Sequence, residues 1–248
     1  MIVTLKKLLI NITLLFVFFN LHLSIANSED KLSKEELDKY IYEYIMENPE
    51  VILESVDKLR QKMQENANLD DQFLKENFIE MANNTNIPFM GSDKPKVTII
   101  EFFDYNCGYC KKSLDAITEL LRSEFDLKVS FRDYPILSPS SRTAAKAALA
   151  AKKQGKYFAM HSALMSMQGN LNEDKIYKAA SNLEINISKL KEDMNNLDIE
   201  QILQENEDLA RKLNIRGTPT FIINGKLYAG ALELNKLKSI INETLDDS

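Results

Sequence analysis

The stretch VTIIEFFDYNCGYC, residues Val97–Cys110, decides how the fold of this chain is predicted. Its first half, Val97–Phe103, is apolar and rich in β-branched and aromatic residues, which is typical of a buried strand. Two cysteines follow, Cys107 and Cys110, and a helical pattern begins at Lys111; the 248-residue chain has no other cysteine. A CxxC pair between a strand and a helix is the setting in which two thiols work as a redox couple.

Two other uses of a CxxC pair find less support in the sequence. A structural zinc site needs about four nitrogen or sulfur ligands, but the chain has only two histidines, His22 and His161, beside the two cysteines. A purely structural disulfide would close a very short loop, and the entropic gain of a cross-link falls with loop size. We therefore prefer the redox interpretation, with no metal and no cofactor. His161 is expected to be a surface or packing residue of a helix rather than a catalyst.

The first 26 residues have the pattern of an export signal. Lys6 and Lys7 precede an apolar stretch over residues 8–23, and Ser24 and Ala26 supply small side chains at the two positions that a signal peptidase reads. The alternative is an uncleaved anchor, since the stretch approaches membrane-spanning length. Either outcome places the remaining chain outside the cytoplasm, where thiol pairs can be oxidised. We expect a periplasmic protein.

The charge of the chain limits its partners. The net charge is −6, and it becomes −8 when the two lysines of the signal are removed with it. Such acidity argues against nucleic acid or an anionic membrane surface as a partner. The roughly 220 residues that follow the signal are enough for one good-sized core and an appendage.

Residues 27–85 are predicted to form an all-helical N-terminal arm. A capping box from Ser33 to Glu36 begins one helix. That helix ends at Asn48, because Pro49 suits the first turn of the next helix. A third helix is expected over residues 69–81. Its candidates for burial are Phe73, Phe78 and Ile79.

The second helix of the arm has a short apolar seam. The seam consists of Ile52, Val56, Leu59 and Met63. It covers about a heptad and a half, whereas a coiled coil is usually recognised over three or more heptads. Periodicity alone therefore leaves two possibilities open: the arm folds back onto its own domain, or it joins copies of the chain.

Residues 86–248 are predicted to form an α/β domain with helices on a central sheet. A linker with two prolines and a glycine, residues 84–95, precedes it. The predicted order is a strand at 96–103, the CxxC helix to about 125, a strand at 127–134, a helical block at 139–213, strands at 218–223 and 226–229, and a last helix at 233–245. The Asn224-Gly225 pair between the last two strands is the strongest short signal for a hairpin.

The two cysteines are expected to differ in reactivity. Cys107 lies at the start of the helix, where free backbone N–H groups and the helix dipole favour a thiolate. Cysteines placed in this way have pKa values of roughly 3.5 to 7.5. Cys107 is therefore predicted to be the exposed nucleophile. Cys110, one turn further on, is predicted to be shielded and to act as the resolving thiol.

Glu101 is a candidate for moving a proton to or from Cys110. It lies six residues before Cys107 within an apolar strand, where burial raises the pKa of a carboxyl group. A raised pKa suits a group that exchanges protons near neutral pH. The alternative is an exposed glutamate on the outer face of a half-buried strand.

These features together resemble the DsbA-like branch of the thioredoxin-fold disulfide oxidoreductases. The matching pieces are EFFDYNCGYC (Glu101–Cys110), the long helical insertion, and GTPTF (Gly217–Phe221) before a hairpin. The resemblance covers about residues 86–246 and implies a thioredoxin fold. It also implies that Pro219 is cis and faces the CxxC pair, and that Thr218 offers backbone groups to the substrate.

The sequence departs from the strongly oxidising members of this family at three places. Gly108 and Tyr109 replace the Pro-His dipeptide between the cysteines, and we expect them to tune the redox potential. Thr218 before the proline resembles the isomerases of the DsbC type. The stretch Tyr44–Glu50 is similar to the N-terminal helices of suppressor-of-copper-sensitivity-like proteins, in which such an arm can drive oligomerisation.

The resemblance implies an exported enzyme that forms or rearranges disulfide bonds in other exported proteins. Its expected partners are cysteine-containing substrate proteins, a membrane or soluble redox partner that resets the couple, and other copies of the chain through the arm. Three alternatives remain open. They are an oligomeric disulfide isomerase or reductase, a copper-handling protein that uses the two thiols as soft ligands, and an interaction protein on a thioredoxin scaffold.

Overall fold

The computed structural model describes residues 33–169 and 171–246. The predicted signal, residues 1–26, lies outside the described residues, and so does the start of the arm. The chain divides between Lys62 and Met63 into two compact units. In the part of the chain that the structure describes, every helix is too short or too polar to cross a membrane.

The described residues form helices α1–α9 and strands β1–β5, numbered in chain order. The helices are Lys34–Glu47, Glu50–Asn83, Gly108–Leu121, Pro139–Lys152, Tyr157–Ser166, Glu173–Asn182, Ile187–Asp193, Leu197–Lys212 and Leu234–Asp246. The strands are Phe89–Gly91, Val97–Phe103, Leu127–Asp133, Thr220–Ile223 and Lys226–Ala229. The helical block predicted at 139–213 corresponds to α4–α8.

The capping box predicted at the start of the arm is confirmed. The Ser33 hydroxyl accepts a hydrogen bond from the Glu36 N–H, and the Glu36 carboxylate accepts one from the Ser33 N–H. Helix α1 ends before Asn48-Pro49, as expected. The prediction of a separate third helix is wrong, because α2 continues without a break to Asn83. No glycine or proline occurs within α2 to interrupt it.

The last turns of α2 pack on the sheet of the second unit. Leu74 and Met81 are buried there, and Phe73 and Phe78 pack against the same cluster. The predicted burial of Ile79 is wrong, since this side chain is 74 % exposed. Five residues of an α-helix turn the chain by roughly 140°, so Ile79 faces away from Leu74. The end of the segment predicted as the arm therefore lies in the second compact unit.

The sheet has the order β1-β3-β2-β4-β5. Strands β2 and β3 are parallel, and the other pairs are antiparallel. Edge strand β1 falls within the predicted linker and was not expected, because three residues give too short a pattern. At Gly91 the φ angle is +103°, and a Cβ atom would come within 2.2 Å of the Leu127 carbonyl oxygen. This close approach requires glycine.

Both faces of the sheet are covered. One face, which carries Phe103 and Phe131, packs against α3, α9 and the helices of the insertion. The other face, which carries Phe102, packs against α2 and the C-terminal end of α8. The predicted hairpin is confirmed, with Asn224 and Gly225 at φ angles of 42° and 83° between β4 and β5. This is the α/β architecture that the sequence predicts, with helices on a central sheet.

Candidate active site

Cys107 is the N-cap residue of α3. Its Sγ accepts a hydrogen bond from the Cys110 N–H at 3.3 Å and lies 3.2 Å from the Thr218 carbonyl oxygen, to which it can donate only as the protonated thiol. The expectation that Cys107 is exposed is wrong, since only 5 % of the residue is accessible. The Thr218 carbonyl, 111 residues away in the chain, lies against the sulfur.

The surroundings of Cys107 favour its thiolate. The pKa of the thiol falls from 9.0 to about 5, chiefly because the Cys110 thiol donates a hydrogen bond to it. The Thr218 side chain and the backbone N–H groups of Cys110 and Tyr109 lower the pKa further, while burial opposes them. Hydrogen bonds to the charged form of a group favour that form. Cys107 is thus ionised at neutral pH, in agreement with its predicted place at a helix start.

Cys110 has the opposite character. It is almost completely buried, and burial raises its pKa well above the ordinary value. The hydrogen bond that it gives to Cys107 and the negative charges of Glu101 and Cys107 raise the pKa further. Cys110 therefore stays a thiol while Cys107 is a thiolate. Both cysteines are free in this structure, which represents the reduced protein.

Glu101 lies on the central strand β2 between Phe131 of β3 and Phe221 of β4. The residue is 3 % exposed, and the alternative of an exposed glutamate is wrong because both faces of β2 are covered. Burial raises the pKa of its carboxyl group to about 8, and the negative charge of Cys107 contributes to the increase. Glu101 is therefore mostly protonated at neutral pH while Cys107 is charged.

The loop before β4 forms the opposite side of the site. The Thr218-Pro219 peptide bond is cis, as the family resemblance implied. Thr218 directs its carbonyl oxygen at Cys107. Between the cysteines, Gly108 and Tyr109 are exposed in the first turn of α3. The two residues thus form an exposed edge of the site. The Lys112 ammonium lies 5.4 Å from the centre of the Tyr109 ring.

Two polar residues next to the cysteines were missed in the sequence. Asp104 is buried, and its carboxylate accepts hydrogen bonds from the backbone N–H groups of Asn106 at 2.7 Å and Leu137 at 2.9 Å. The side chain of Asn106 bonds to the insertion. An Asp two residues before Asn at the end of a strand is the type of pattern that forms such local bonds. The distant partners leave no signal in the sequence.

A buried polar network of Tyr105, His161, Tyr157 and Asp133 was also missed in the sequence. The Tyr105 hydroxyl lies 3.1 Å from His161 Nδ1, and the Tyr157 hydroxyl donates to Asp133 Oδ2 at 3.2 Å. Burial raises the pKa of Asp133 to about 8 and lowers that of His161 to about 3. His161 packs among aromatic rings, with the Phe103 ring centre 4.9 Å away. It is a packing residue, as predicted.

Two of the alternatives, a zinc site and a copper-handling protein, concern the grouping of metal-binding side chains. Within the described ranges, no three His, Cys, Asp or Glu side chains come together in a group that could hold a metal ion.

The chain belongs to a known class of redox proteins. The fold and site are those of a thiol–disulfide oxidoreductase. They combine a thioredoxin-like sheet, a CxxC pair at a helix start and a cis-proline loop against the first sulfur. Residues 98–242, more than half of the chain, match the DSBA-like thioredoxin domain family. The chain therefore belongs to this family.

Residues 34–65 match a second family model, the N-terminal domain of the copper resistance protein ScsC. The described part of this match consists of α1 and the first half of α2. It coincides with the arm in which the sequence showed a resemblance to suppressor-of-copper-sensitivity-like proteins.

Solved structures agree with both matches. A thioredoxin-like oxidoreductase from Silicibacter pomeroyi is 34 % identical, with a TM-score of 0.65 over 67 % of this chain and 96 % of that one. The thiol-disulfide exchange protein alpha-DsbA2 from Wolbachia pipientis is 31 % identical, with a TM-score of 0.66 over 71 % and 96 %. Proteus mirabilis ScsC is 27 % identical, with a TM-score of 0.65 over 87 % and 98 %.

Curated relatives include much longer proteins. The Na(+)/H(+) antiporter NhaA 1 of Salinispora arenicola is 29 % identical over 153 residues, which are 61 % of this chain. The chain spans about a quarter (24 %) of the length of that relative.

Proposed function

We propose that this chain is exported and exchanges disulfide bonds with other exported proteins through Cys107 and Cys110. The observation that carries the proposal is the pairing of a thiolate with a buried thiol. The pKa of Cys107 is lowered to about 5, whereas that of Cys110 is raised. A thiol with a low pKa is both a good leaving group and, at neutral pH, present in the attacking form.

The oxidising direction starts from a Cys107–Cys110 disulfide. A substrate thiolate attacks Cys107 Sγ, the S–S bond to Cys110 breaks, and the electron pair leaves on Cys110. Glu101 gives its proton to the departing Cys110 sulfur, which is strongly basic in this buried place. A second substrate thiolate then attacks the substrate sulfur of the mixed disulfide and releases Cys107 as a thiolate. The substrate leaves oxidised by two electrons, the enzyme is reduced, and Glu101 regains a proton from solvent because its pKa is about 8.

In this scheme the other residues of the site bind the substrate and tune the redox potential of the cysteine pair. Thr218 and Pro219 line the sulfur and offer backbone groups to the extended substrate. Gly108 and Tyr109 form the exposed edge of the pair, and the Tyr109 N–H influences its potential because it lowers the pKa of Cys107. A redox partner accepts the two electrons and restores the disulfide.

The rearranging direction uses the same residues from the reduced state. The Cys107 thiolate attacks a wrong disulfide of the substrate, and another substrate thiol later displaces Cys107, so no net electrons are transferred. Thr218 before the cis-proline, which resembles the isomerases of the DsbC type, supports this second direction. An isomerase and an oxidase therefore differ in the redox state in which the protein is kept.

The test uses two forms of ribonuclease. The oxidised protein is mixed with reduced ribonuclease, and the reduced protein with scrambled ribonuclease, and the recovery of ribonuclease activity is followed. An oxidase is active in the first assay and an isomerase in the second. A folded Cys107→Ala variant is the control and should be inactive in both. Wild-type protein that is inactive in both assays and does not reduce insulin would contradict the proposal.

We propose that residues 1–26 direct export and that the arm and domain, residues 27–85 and 86–248, act in the periplasm. The support is the charged, apolar and small-residue order at the N-terminus. Expression with and without residues 1–26 in a Gram-negative host tests this proposal. The full chain should be found in the periplasmic fraction, shortened by about 26 residues, as its mass shows. Retention of both forms in the cytoplasm would contradict export.

We propose further that the arm joins copies of the chain. Its apolar side chains Ile41, Ile52, Val56 and Leu59 are exposed, and the ScsC N-terminal match covers them. The side chain of the fourth seam residue, Met63, lies outside the described residues. Exposed apolar side chains grouped along a helix are typical of a contact surface.

Sedimentation of the exported protein measures this association. The wild type should sediment as more than one copy, and a double variant, Ile41→Asp with Val56→Asp, should sediment as a monomer with an unchanged CxxC domain. The control is Glu54→Ala, an exposed arm residue outside the seam, which should leave the mass unchanged. A wild-type protein that is a monomer at all concentrations would exclude this role of the arm.

A further inference from the structure

Asn106, the residue before Cys107, makes an unusual set of contacts with the helical insertion. Its Nδ2 lies 2.9 Å from the Ser138 Oγ, 3.0 Å from the Ser140 Oγ and 2.9 Å from the Ser141 Oγ. An amide nitrogen has two hydrogens, so the three hydroxyl groups share two donors. On its other side, Asn106 Oδ1 accepts from the Leu171 N–H at 3.4 Å.

The three serines form a preorganised acceptor for this amide. Ser138 is the N-cap of α4, and its Oγ accepts from the Ser141 N–H at 3.3 Å. The hydroxyl group of Ser138 also lies 3.0 Å from that of Ser140 and 3.1 Å from that of Ser141. Ser141 is completely buried. The positions of the three hydroxyl groups are therefore fixed by their hydrogen bonds at the start of α4.

Asp104 ties the same two segments together from the other side of the turn. Its carboxylate bridges the N–H groups of Asn106 and Leu137, and its carbonyl oxygen accepts from the Cys107 N–H at 3.0 Å. The turn before Cys107 is thus held against residues 137–141 at two points. Its backbone conformation directs Cys107 Sγ toward the Cys110 N–H and Thr218.

We propose that Asn106 is a positioning residue: its hydrogen bonds to the serine cluster Ser138, Ser140 and Ser141 let the helical insertion hold Cys107 in its reactive orientation. The inference rests on the proposed function, because it concerns the nucleophile of that reaction. It assigns a role to the insertion, which otherwise covers one face of the sheet. Without the Asn106 amide the turn is less restrained. The Cys107 sulfur then spends less time within hydrogen-bond distance of its donors, such as the Cys110 N–H.

The test measures ionisation of Cys107 in the reduced protein, by the ultraviolet absorbance of the thiolate and by the rate of alkylation with iodoacetamide as a function of pH. In Asn106→Ala we expect the pKa to rise by roughly one unit, a tenfold change in the ionisation constant. Ser140→Ala and Ser141→Ala should raise it in the same direction. Asn195→Ala is the matched control. It also removes a side-chain hydrogen bond of an asparagine, in this case to the Lys191 carbonyl near the C-terminal end of α7.

A double variant separates positioning from general loosening of the fold. If the serines act through Asn106, Asn106→Ala with Ser140→Ala should shift the pKa no further than Asn106→Ala alone. Additive shifts, or an unchanged pKa in folded Asn106→Ala, would overturn the inference. If Asn106→Ala does not fold, the two serine variants decide in its place. This readout needs no protein substrate, so a wild type inactive on ribonuclease would sink the proposed function and leave the positioning test intact.

Discussion

Replacement of Glu101 by glutamine should stabilise the reduced protein, and the gain should depend on pH. The carboxyl pKa is about 8 in the folded protein and 4.5 without the surrounding structure. At about pH 7 the unfolded chain releases the proton that the folded protein keeps, which favours unfolding. One pKa unit corresponds to about 1.4 kcal/mol, so the roughly 2.5 units between 4.5 and neutral pH cost the wild type about 3 kcal/mol.

The sign follows from the raised pKa. Below about pH 4.5 both states bind the proton and the cost is absent, and it grows by about 1.4 kcal/mol per pH unit until it levels off near pH 8. Glutamine is neutral at every pH, so the cost disappears in the variant. A change in hydrogen bonding caused by the amide shifts the stability equally at all pH values. The pH-dependent part therefore reports on the buried carboxyl group alone.

The assay is urea unfolding of the reduced wild type and of Glu101→Gln between about pH 4.5 and pH 8. The difference in unfolding free energy should widen by about 3 kcal/mol up to pH 7 and by about 4 kcal/mol up to pH 8. Glu124→Gln, at an exposed position of the same domain, is the control for the chemical change. In the oxidised protein the widening should be smaller, because the charge of Cys107 contributes to the raised pKa. Parallel stability curves would refute the claim that Glu101 keeps its proton.

Two further predictions concern the cis-proline loop and the edge of the sheet. Thr218→Val keeps the shape of the side chain but removes the hydroxyl group, which lowers the pKa of Cys107 although its buried oxygen has no hydrogen-bond partner in the described part of the chain. The thiolate absorbance should show a pKa higher by up to about one unit, and an unchanged pKa would show that the hydroxyl group does not act on the thiolate. Gly91→Ala should cost about 2 kcal/mol in urea unfolding, since its φ is +103° and the new Cβ would meet the Leu127 carbonyl. Gly155→Ala, with a φ of +70° in open space, is the matched control and should cost clearly less; equal losses would show that the close contact at Gly91 is unimportant.

Local patterns predicted much of this fold. The strand that carries Glu101, the helix start at Cys107 and the Asn224-Gly225 hairpin each depend on a few adjacent residues, and the structure has all three. The raised pKa of Glu101 could also be predicted, because an apolar strand of this kind is the type that occupies the middle of a sheet.

The rest depended on contacts between distant parts of the chain. Cys107 was expected to be exposed, yet it is covered by Thr218, and nothing near Cys107 in the sequence indicates that cover. The same holds for Asn106, whose serine partners are 32 to 35 residues away. Ile79 was misplaced because the three apolar candidates of its segment do not share one helix face.

Titration of Cys107 in the reduced wild type tests the central claim most directly. The thiolate absorbance should show one group half-ionised near pH 5, and alkylation with iodoacetamide followed by peptide mapping should place it at Cys107. Cys110 should remain unmodified until far higher pH, because its thiol is held protonated by burial. Two thiols that ionise together near pH 8.5 to 9, the ordinary range of cysteine, would contradict the assignment of Cys107 as the activated nucleophile.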